Sequence, residues 1–323
     1  MSPQPSPAAS SASAHGTGVV DDPATAVDEP RRSTSLSPSR ASDFLTCPLL
    51  YRFRVIDRLP QRPSPAATRG TVVHSVLERL FDLPAAERTP EQASTMLRPE
   101  WDRLLAEEPE VGELFDDDAA RDEWLHGASG LLDAYFALED PRRLEPAERE
   151  LYVECDLESG LRLRGYVDRL DVAPGGELRV VDYKTGRAPG EDFEAKAMFQ
   201  MRFYALVLWR LRGEIPRVLQ LLYLGSGEML RYTPDEAELL ATERKVGAIW
   251  DAIRRATERG DWRPSPSKLC DWCDHRYIRC TAWPIDPEKV EEDRLWREGR
   301  TQSIGPDVGA AEVPSPYTPT DEV

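Results

Sequence analysis

The chain has 323 residues, of which 40% are hydrophobic, and a formal net charge of −17 at pH 7. This length allows one large domain or two small ones, and no apolar run reaches the roughly 18 residues of a membrane span. The N-terminus lacks the apolar core of a secretory signal, so we expect a cytoplasmic protein, in which structural disulfides are rare. The five cysteines then need another explanation.

The negative charge is concentrated in one segment of the chain. Residues 82–158 hold 23 acidic and 7 basic residues, whereas residues 31–69 hold eight arginines and two aspartates. A local basic face can therefore coexist with an acidic total, and the net charge does not exclude binding to nucleic acid. The acidic segment itself is typical of a solvated helical surface.

The sequence predicts one domain between two disordered tails. Residues 1–34 and 305–323 have the Ser-, Pro- and Ala-rich composition of disordered segments. Residues 35–285 form the predicted domain, with a helical insertion at about residues 85–145. From about residue 148 the hydrophobic period changes to that of strands. The order is helices, a three-strand meander, a helix, a strand pair and a helix, which indicates a mixed α/β core.

The last two strands of the meander, GYVDRLDVAPGGELRVVDYKTG, carry the strongest candidate site. Pro-Gly-Gly marks a turn centred on Gly175, and this turn sets Asp168 opposite Asp182 if residues 173 and 177 are the first pair. Opposed residues of an antiparallel pair share a face, and Lys184, two places further on, shares it as well. One hairpin thus presents two carboxylates and an ammonium together.

The two predicted carboxylates repel each other unless a cation lies between them, and Mg²⁺ prefers such oxygen ligands. A metal ion held there polarises a phosphoryl oxygen and lowers the pKa of a bound water. Lys184 could orient or deprotonate that water, or offset charge on phosphorus. The pattern therefore predicts metal-assisted phosphodiester hydrolysis; a plain Asp–Lys salt bridge at a sheet edge is the alternative.

Two residues outside the hairpin are candidates for the metal shell. His74 borders the apolar stripe of its predicted helix, as a core histidine or as a third metal ligand beside Asp168 and Asp182. Glu150, in the preceding strand ERELYVE, is a weaker candidate that could support the metal or Lys184.

Gln200 and Tyr204 lie four residues apart on the helix after the meander and therefore share a face. They can bind a backbone phosphate or brace Lys184. An ordinary amphipathic boundary of the helix is the alternative interpretation.

Four cysteines form a second candidate site. Cys47 precedes the core, and the segment SKLCDWCDHRYIRC supplies Cys270, Cys273 and Cys280. Thiolates suit zinc or an iron–sulfur cluster, and the spacing alone does not separate the two. Either group would be structural, because it closes a loop of more than 200 residues. The fifth cysteine, Cys155, is predicted to be a buried strand residue.

The basic segment suggests a surface for nucleic acid. Arginines alternate there with aromatic residues, which favours a groove that binds phosphates and stacks bases; core packing of the aromatic residues is the alternative. The residues predicted to form this groove are Arg40, Arg52, Arg54, Arg58, Arg62 and Arg69, with Phe44, Tyr51 and Phe53. Of these arginines, Arg40, Arg52, Arg54 and Arg69 are the ones predicted to bind nucleic acid.

The motifs RGTVVHSVLERL, GYVDRLD, VVDYKTG and QMRFY occur in this order between Ser35 and Cys280. Together they resemble the successive motifs of RecB-family exonucleases in the PD-(D/E)xK nuclease superfamily. The resemblance implies a restriction-endonuclease-like mixed sheet flanked by helices, Mg²⁺ or Mn²⁺, single-stranded DNA or DNA ends as substrate, and work in DNA repair or recombination. The residues that it assigns to the active site are His74, Asp168, Asp182, Lys184, Gln200 and Tyr204.

One subgroup of RecB-like nucleases has a cysteine before the nuclease core and three after it, which ligate a [4Fe–4S] cluster. This chain has the same layout, so the resemblance implies a four-cysteine metal-bound cap, with zinc as the alternative. No phosphate loop of a helicase motor occurs in the sequence, so a helicase could act only in trans. A non-catalytic DNA-binding subunit of a helicase–nuclease complex and a zinc-ribbon interaction protein are the alternative functions.

Overall fold

The computed structural model of the chain describes residues 35–188 and 190–303. Both predicted tails, residues 1–34 and 305–323, lie outside these residues. No helix in the described segments combines the length and the apolar character needed to cross a bilayer. The elements follow the predicted order of helices, meander, helix, strand pair and helix, which confirms a mixed α/β fold.

The secondary structure consists of a mixed sheet and flanking helices. The strands are β1 (Ser35–Leu36), β2 (Glu148–Asp156), β3 (Arg162–Val172), β4 (Leu178–Lys184), β5 (Val218–Tyr223) and β6 (Glu228–Tyr232). The α-helices are α1 (Pro38–Thr46), α2 (Pro48–Tyr51), α3 (Pro65–Leu80), α4 (Pro90–Glu107), α5 (Asp118–Leu138), α6 (Glu191–Arg212), α7 (Glu236–Arg259) and α8 (Pro287–Ser303). Strand β1 and helix α8 are additions to the predicted elements.

Local sequence sets the ends of the main helices. The Ser64 hydroxyl accepts a hydrogen bond from the main chain at the start of α3, and Pro65 occupies the first helical position. Helix α7 begins with a capping box between Asp235 and Glu238. It ends at Gly260, whose φ of 64° lies in the left-handed region that glycine adopts without strain.

The sheet order leaves one edge of β3 partly uncovered. The order is β1-β3-β4-β5-β6, and β2 pairs with the other edge of β3. On the shared edge, β1 pairs in parallel with residues 162–163 of β3, and β4 pairs antiparallel with residues 169–172. Neither neighbour pairs with residues 164–168 of that edge. A gap between β1 and β4 therefore opens in the middle of β3.

The sheet separates two hydrophobic cores. Helices α6 and α7 pack on one face, against residues such as Val180 and Leu221. Helices α3, α4 and α5 pack on the other face, against residues such as Val181 and Leu222. Consecutive residues of β4 and β5 therefore enter different cores, as the alternation of side chains along a strand requires. The two cores hold the middle of the sheet rigidly between two helical layers.

The aromatic residues predicted to stack bases beside the N-terminal arginines belong to the core, so this prediction was wrong. Tyr51 is fully buried and stacks on Trp262, with ring centroids 5.9 Å apart. Phe53 is buried against the ring of His275, and Phe44 meets Tyr51 edge to face. Each aromatic side chain that packs in the core can bury ~150–250 Å² of its surface. That gain favours burial over an exposed groove.

A buried ion network ties β3, β4 and β5 to the end of α5. Arg169 is 0% exposed, and its guanidinium lies 2.9 Å from Glu139 and 3.1 Å from Asp171. It also donates to the Tyr183 hydroxyl at 2.8 Å, while Gln220 donates to Glu139 at 2.8 Å. These charges tolerate burial because each has an opposite partner and hydrogen bonds. We refer to this group as the Arg169 network.

Candidate active site

The hairpin β3–β4 has the register that the Pro-Gly-Gly turn predicts. Its last observed pair toward the site is Arg169 with Val181, and the next position in the same register sets Asp168 opposite Asp182. There the two strands separate. The Asp168 carboxylate, through Oδ2, accepts a hydrogen bond of 2.7 Å from the Tyr183 N–H. The side chain of Asp168 thus replaces a main-chain partner and occupies the space between the strands, where groups from both layers can reach it.

His74 reaches Asp168 from α3. Its Nε2 lies 2.9 Å from the Tyr183 carbonyl oxygen, which only accepts, so Nε2 carries the proton and donates. Its Nδ1 lies 3.6 Å from Asp168 and 4.0 Å from Glu150. Burial lowers the pKa of His74 and favours the neutral ring. The hydrogen bond to the carbonyl therefore directs a lone pair of Nδ1 toward the carboxylates, as a metal ligand requires.

Glu150 faces Asp168 from β2. The pairs on either side of it, Arg149 with Arg169 and Leu151 with Val167, place position 150 opposite position 168. Its φ of 44° lies in the left-handed region, which a glutamate rarely adopts. Burial, followed by the negative charges of nearby carboxylates, raises the pKa of Glu150 to about 7. The strained backbone brings a third carboxylate to the point where β3 and β4 separate.

Asp182, Lys184 and Gln200 form a closed polar triangle. The Lys184 ammonium lies 2.7 Å from Asp182 and donates to the Gln200 side-chain oxygen at 3.0 Å. The Gln200 amide nitrogen donates to Asp182 at 3.0 Å and to the Tyr204 hydroxyl at 3.3 Å. Burial opposes the charged form of Lys184, but the Asp182 charge, the hydrogen bond to Asp182 and the Asp168 charge act together against burial and raise the pKa of Lys184. The lysine is therefore a fixed cation, braced by Gln200.

Tyr204 can approach β3 because position 165 is glycine. A Cβ atom built on Gly165 would lie 2.7 Å from the Tyr204 ring and 3.5 Å from Pro38. Any larger residue would push the ring away from its contact with Gln200. The glycine in the motif GYVDRLD thus allows α6 to seat the triangle against the sheet.

Three potential ligand atoms converge at the centre of the site. Atoms of His74, Glu150 and Asp168 all lie within 4.8 Å of one another. Asp182, which the sequence predicted as a ligand, lies outside this set. Burial, then the charges of Asp182 and Glu150, raises the pKa of Asp168 well above its usual value. One imidazole nitrogen and carboxylate oxygens that repel each other are a donor set that suits a hard divalent cation.

A cleft of about 1440 Å³ opens at the uncovered edge of β3, and His74 and Lys184 line it. Cationic side chains surround the opening, and the described lining residues include no aspartate or glutamate. The cations are Arg40, Arg164, Lys184, Arg187 and Lys196. A polyanion can therefore approach the carboxylates through a cationic entrance.

Of the four arginines predicted to bind nucleic acid, Arg40 lines this cleft. The other three do not belong to its lining. Arg52 lies 3.1 Å from Asp57, and Arg54 lies 2.8 Å from Asp43. Arg69 lies over the ring of Trp124, 5.5 Å from its centroid. Arg164, Arg187 and Lys196 had not been predicted, because they come from three separate elements that meet only in the folded chain.

The four cysteines predicted to bind a metal line one cavity of about 200 Å³. They are free thiols, and within the described residues they do not form a ligand group as tight as that of His74. Burial raises the pKa of Cys273, and the neighbouring Cys270 and Cys280 add to the shift. Cys155 is buried in the core, as predicted.

The chain is similar to several known proteins. The model of the PD-(D/E)XK nuclease superfamily matches residues 35–280. The Gene 69 protein of Mycobacterium phage D29 is 29% identical over 272 residues, which cover 75% of this chain and 94% of that protein. The Gene 69 protein of Mycobacterium phage L5 is 25% identical over 290 residues, with the same coverage of 75% and 94%. A crystal structure of a candidate exonuclease from Eubacterium rectale is 13% identical and covers 80% of this chain and 92% of its own, with a TM-score of 0.49.

Proposed function

Because this chain belongs to the PD-(D/E)XK nuclease superfamily, we propose that it is a metal-dependent DNA exonuclease that hydrolyses phosphodiester bonds of single-stranded DNA or of DNA ends. One observation carries the proposal. His74, Glu150 and Asp168 converge near the Asp182–Lys184 ion pair, and His74 and Lys184 of this group line a cleft whose other lining residues include cations. This arrangement supports a site for a divalent cation beside a cationic path for a phosphate backbone.

The charges of the site match a divalent ion. When the carboxyl groups of Glu150, Asp168 and Asp182 are all ionised, their charge exceeds that of the Lys184 ammonium by two, because the His74 imidazole is neutral. We infer that His74, Glu150 and Asp168 hold Mg²⁺ or Mn²⁺. Asp182 stays paired with Lys184, and its negative charge adds to the attraction for the cation. A bound ion of this kind lowers the pKa of a water molecule and offsets charge on a phosphoryl oxygen.

The protein's own groups position the substrate and stabilise its charge. Lys184, whose ammonium lies 2.7 Å from Asp182, offsets the negative charge that develops on the phosphate. Gln200 fixes the direction of the ammonium through the hydrogen bond at 3.0 Å. Arg40 and Arg164, which line the same cleft, bind neighbouring phosphates of the strand.

The test uses end-labelled single-stranded and double-stranded oligonucleotides with Mg²⁺ or Mn²⁺. We expect Asp182→Asn and Lys184→Ala to reduce cleavage by about 10²- to 10³-fold or more. The matched control is Asp251→Asn, because Asp251 forms an exposed ion pair on α7, far from the triangle in sequence. Release of label from one end identifies an exonuclease and its polarity. Far-UV circular dichroism confirms that each variant is folded.

Undiminished cleavage by both variants would rule the proposal out. A wild-type chain that binds DNA but cuts neither substrate with either metal would instead favour a non-catalytic DNA-binding subunit. Cooperation with a separate helicase and a role in DNA repair remain predictions that rest on the resemblance to RecB-family exonucleases.

We also propose that the cysteine cavity holds a [4Fe–4S] cluster, with zinc as the alternative. The support is that Cys47, Cys270, Cys273 and Cys280 line one cavity although more than 200 residues separate the first from the others. Anaerobic purification followed by metal and sulfide analysis separates the two groups. Iron with inorganic sulfide and a brown colour supports the cluster; zinc without colour contradicts it.

A further inference from the structure

Two exposed tyrosines stand beside the candidate active site. Tyr152 is 40% exposed and Tyr166 is 50% exposed, and they are directly paired across β2 and β3. Their ring centroids lie 5.2 Å apart with the planes inclined by 55°. Both rings line the same cleft as His74 and Lys184. Each ring therefore presents surface to solvent at the entrance of the site.

The helical layer that buries the neighbouring strands does not cover these rings. Val153 and Val167, next to the tyrosines along their strands, belong to the core under α6 and α7, so the tyrosines point to the opposite face. The core of α3, α4 and α5 includes residues of β4 and β5 but, within the described chain, none of β2 or β3. The two strands thus extend past the helical layer and leave an aromatic face open.

We propose that Tyr152 and Tyr166 form a stacking platform for unpaired DNA bases, while the backbone of the same strand follows the cationic side chains of the cleft. The inference rests on the proposed function, since it assigns the bases of the substrate to the site that binds its phosphates. Charge complementarity supports this occupant, because the cleft lining is cationic beside both rings. An aromatic ring accepts the face of any base, so the platform needs no particular sequence.

The contacts of the platform hold the rings in place without filling their faces. The Tyr152 hydroxyl donates to Glu154 at 2.7 Å. The Glu154 carboxylate also lies 3.5 Å from the Arg162 guanidinium, which compensates its charge. Arg164 lies two residues before Tyr166 in β3 and lines the same cleft, where it supplies a cation for a phosphate. The Tyr152 ring is therefore oriented through its hydroxyl, and both rings keep exposed surface that a base can approach from the cleft.

The platform would select single strands over duplexes. The bases of a duplex are paired and stacked on each other, and freeing one of them costs stacking energy. A single strand offers its bases without that cost, so only its bases can reach the tyrosines freely. We expect the platform to hold the bases at a fixed offset from the bond near Lys184.

The test measures binding without cleavage, on the full chain in EDTA, by fluorescence anisotropy. The probes are a labelled oligothymidylate and an oligonucleotide of the same length made of abasic residues. We expect the wild type to bind oligothymidylate more tightly than the abasic probe. The double variant Tyr152→Ala/Tyr166→Ala should lose this difference and bind oligothymidylate about 5- to 150-fold more weakly, the range for ~1–3 kcal/mol per stacked base.

Two matched variants separate stacking from other causes. Tyr152→Phe/Tyr166→Phe keeps the rings and removes the hydroxyls, so it should retain the preference for oligothymidylate. Arg164→Gln should weaken the binding of both probes to the same extent, since a phosphate contact does not depend on bases.

The outcomes distinguish the platform from the nuclease proposal. Equal binding of both probes by the wild type, no binding of either, or an undiminished preference in the double alanine variant overturns the platform even if the protein cleaves DNA. A preference that the alanine variant loses supports the platform even if no cleavage occurs with Mg²⁺ or Mn²⁺.

Discussion

Two adjacent residues of β3 belong to charge clusters of opposite character. Arg169 lies in a network in which Glu139 and Asp171 each meet a cation, and it is fully buried. Asp168 lies near two further carboxylates, those of Glu150 and Asp182, and the Lys184 ammonium pairs with Asp182. Both clusters are made of the same kinds of side chain. The two clusters differ in their balance of charge: paired charges stabilise the fold, whereas an excess of carboxylates favours the binding of a cation.

The pKa shifts of the two clusters follow this balance. In the Arg169 network, burial opposes the charged form of Glu139, yet the Arg169 charge and hydrogen bonds outweigh it and lower the pKa of Glu139. At the site, burial and then the charges of Asp182 and Glu150 act in the same direction and raise the pKa of Asp168. The pKa values of the two buried carboxyl groups are thus shifted in opposite directions, although Glu139 contacts Arg169, the direct neighbour of Asp168 in β3.

The largest effect should come from Asp168→Asn. The amide oxygen can still accept the Tyr183 N–H, so the variant should fold, and its metal-free form should be at least as stable as the wild type because one repelling charge is gone. Cleavage should fall by about 10³-fold, since a ligand of the metal is lost. Rates on end-labelled DNA and thermal melts in EDTA check both expectations.

The matched control for Asp168→Asn is Asp171→Asn, on the same strand but in the Arg169 network. It should show the reverse pattern, a loss of stability with most of the cleavage rate retained at low temperature. If both variants lose activity and stability in parallel, the distinction between the two clusters is wrong.

The next largest effect should be on stability. Arg169→Met removes the cation that Glu139 and Asp171 share and leaves two carboxylates buried, which should lower the free energy of unfolding by about 3–5 kcal/mol. Urea denaturation measures this change. Arg179→Met is the control, because Arg179 also contacts Asp171 but is partly exposed, and it should cost much less. Equal losses in the two variants would contradict a central role for Arg169.

The smallest effect concerns the pH dependence of Glu150. Its pKa is raised from 4.5 to about 7 in the folded protein, so between these values the folded state binds more protons than the unfolded state. The unfolding free energy of the metal-free protein should therefore fall as the pH rises from about 5 to about 8. Glu150→Gln should flatten this slope.

Metal binding should show the opposite trend with pH. Because protons compete with the cation for Glu150, the affinity for Mg²⁺ or Mn²⁺ should rise from pH 5 to pH 8 in the wild type and rise less in Glu150→Gln. Thermal melts with EDTA and with added metal measure both slopes. Parallel slopes in the two proteins would show that another group titrates.

Local signals in the sequence predicted the centre of the fold and of the site. The Pro-Gly-Gly turn sets the β3–β4 register by itself, so the approach of Asp168 to Asp182 follows from a count along two strands. Helical spacing likewise placed Gln200 and Tyr204 on one face, and the structure joins them by a hydrogen bond. Such features depend on contacts within one element or one hairpin.

Features that depend on how layers meet could not be predicted in this way. Strand β1 has two residues, too few for any period, yet it pairs with β3 and is followed directly by Ser37 and Pro38, which line the cleft. Alternation along β2 and β3 gives the face of Tyr152 and Tyr166 but not that the helical layer stops short of them. The same limit led to the wrong assignment of Tyr51 and Phe53, since exposure depends on what packs above a residue.

The hydrogen bond from the Tyr183 N–H to Asp168 has a consequence for measurement. An amide proton bound to a carboxylate oxygen changes its resonance frequency and its exchange rate when that oxygen gains a proton or a cation. The amide of Tyr183 is thus a built-in spectroscopic reporter that is hydrogen-bonded directly to a carboxylate of the candidate site. The Tyr183 peak in an NMR amide spectrum can follow both the protonation of Asp168 and the binding of a cation, without a probe group attached to the protein or its substrate.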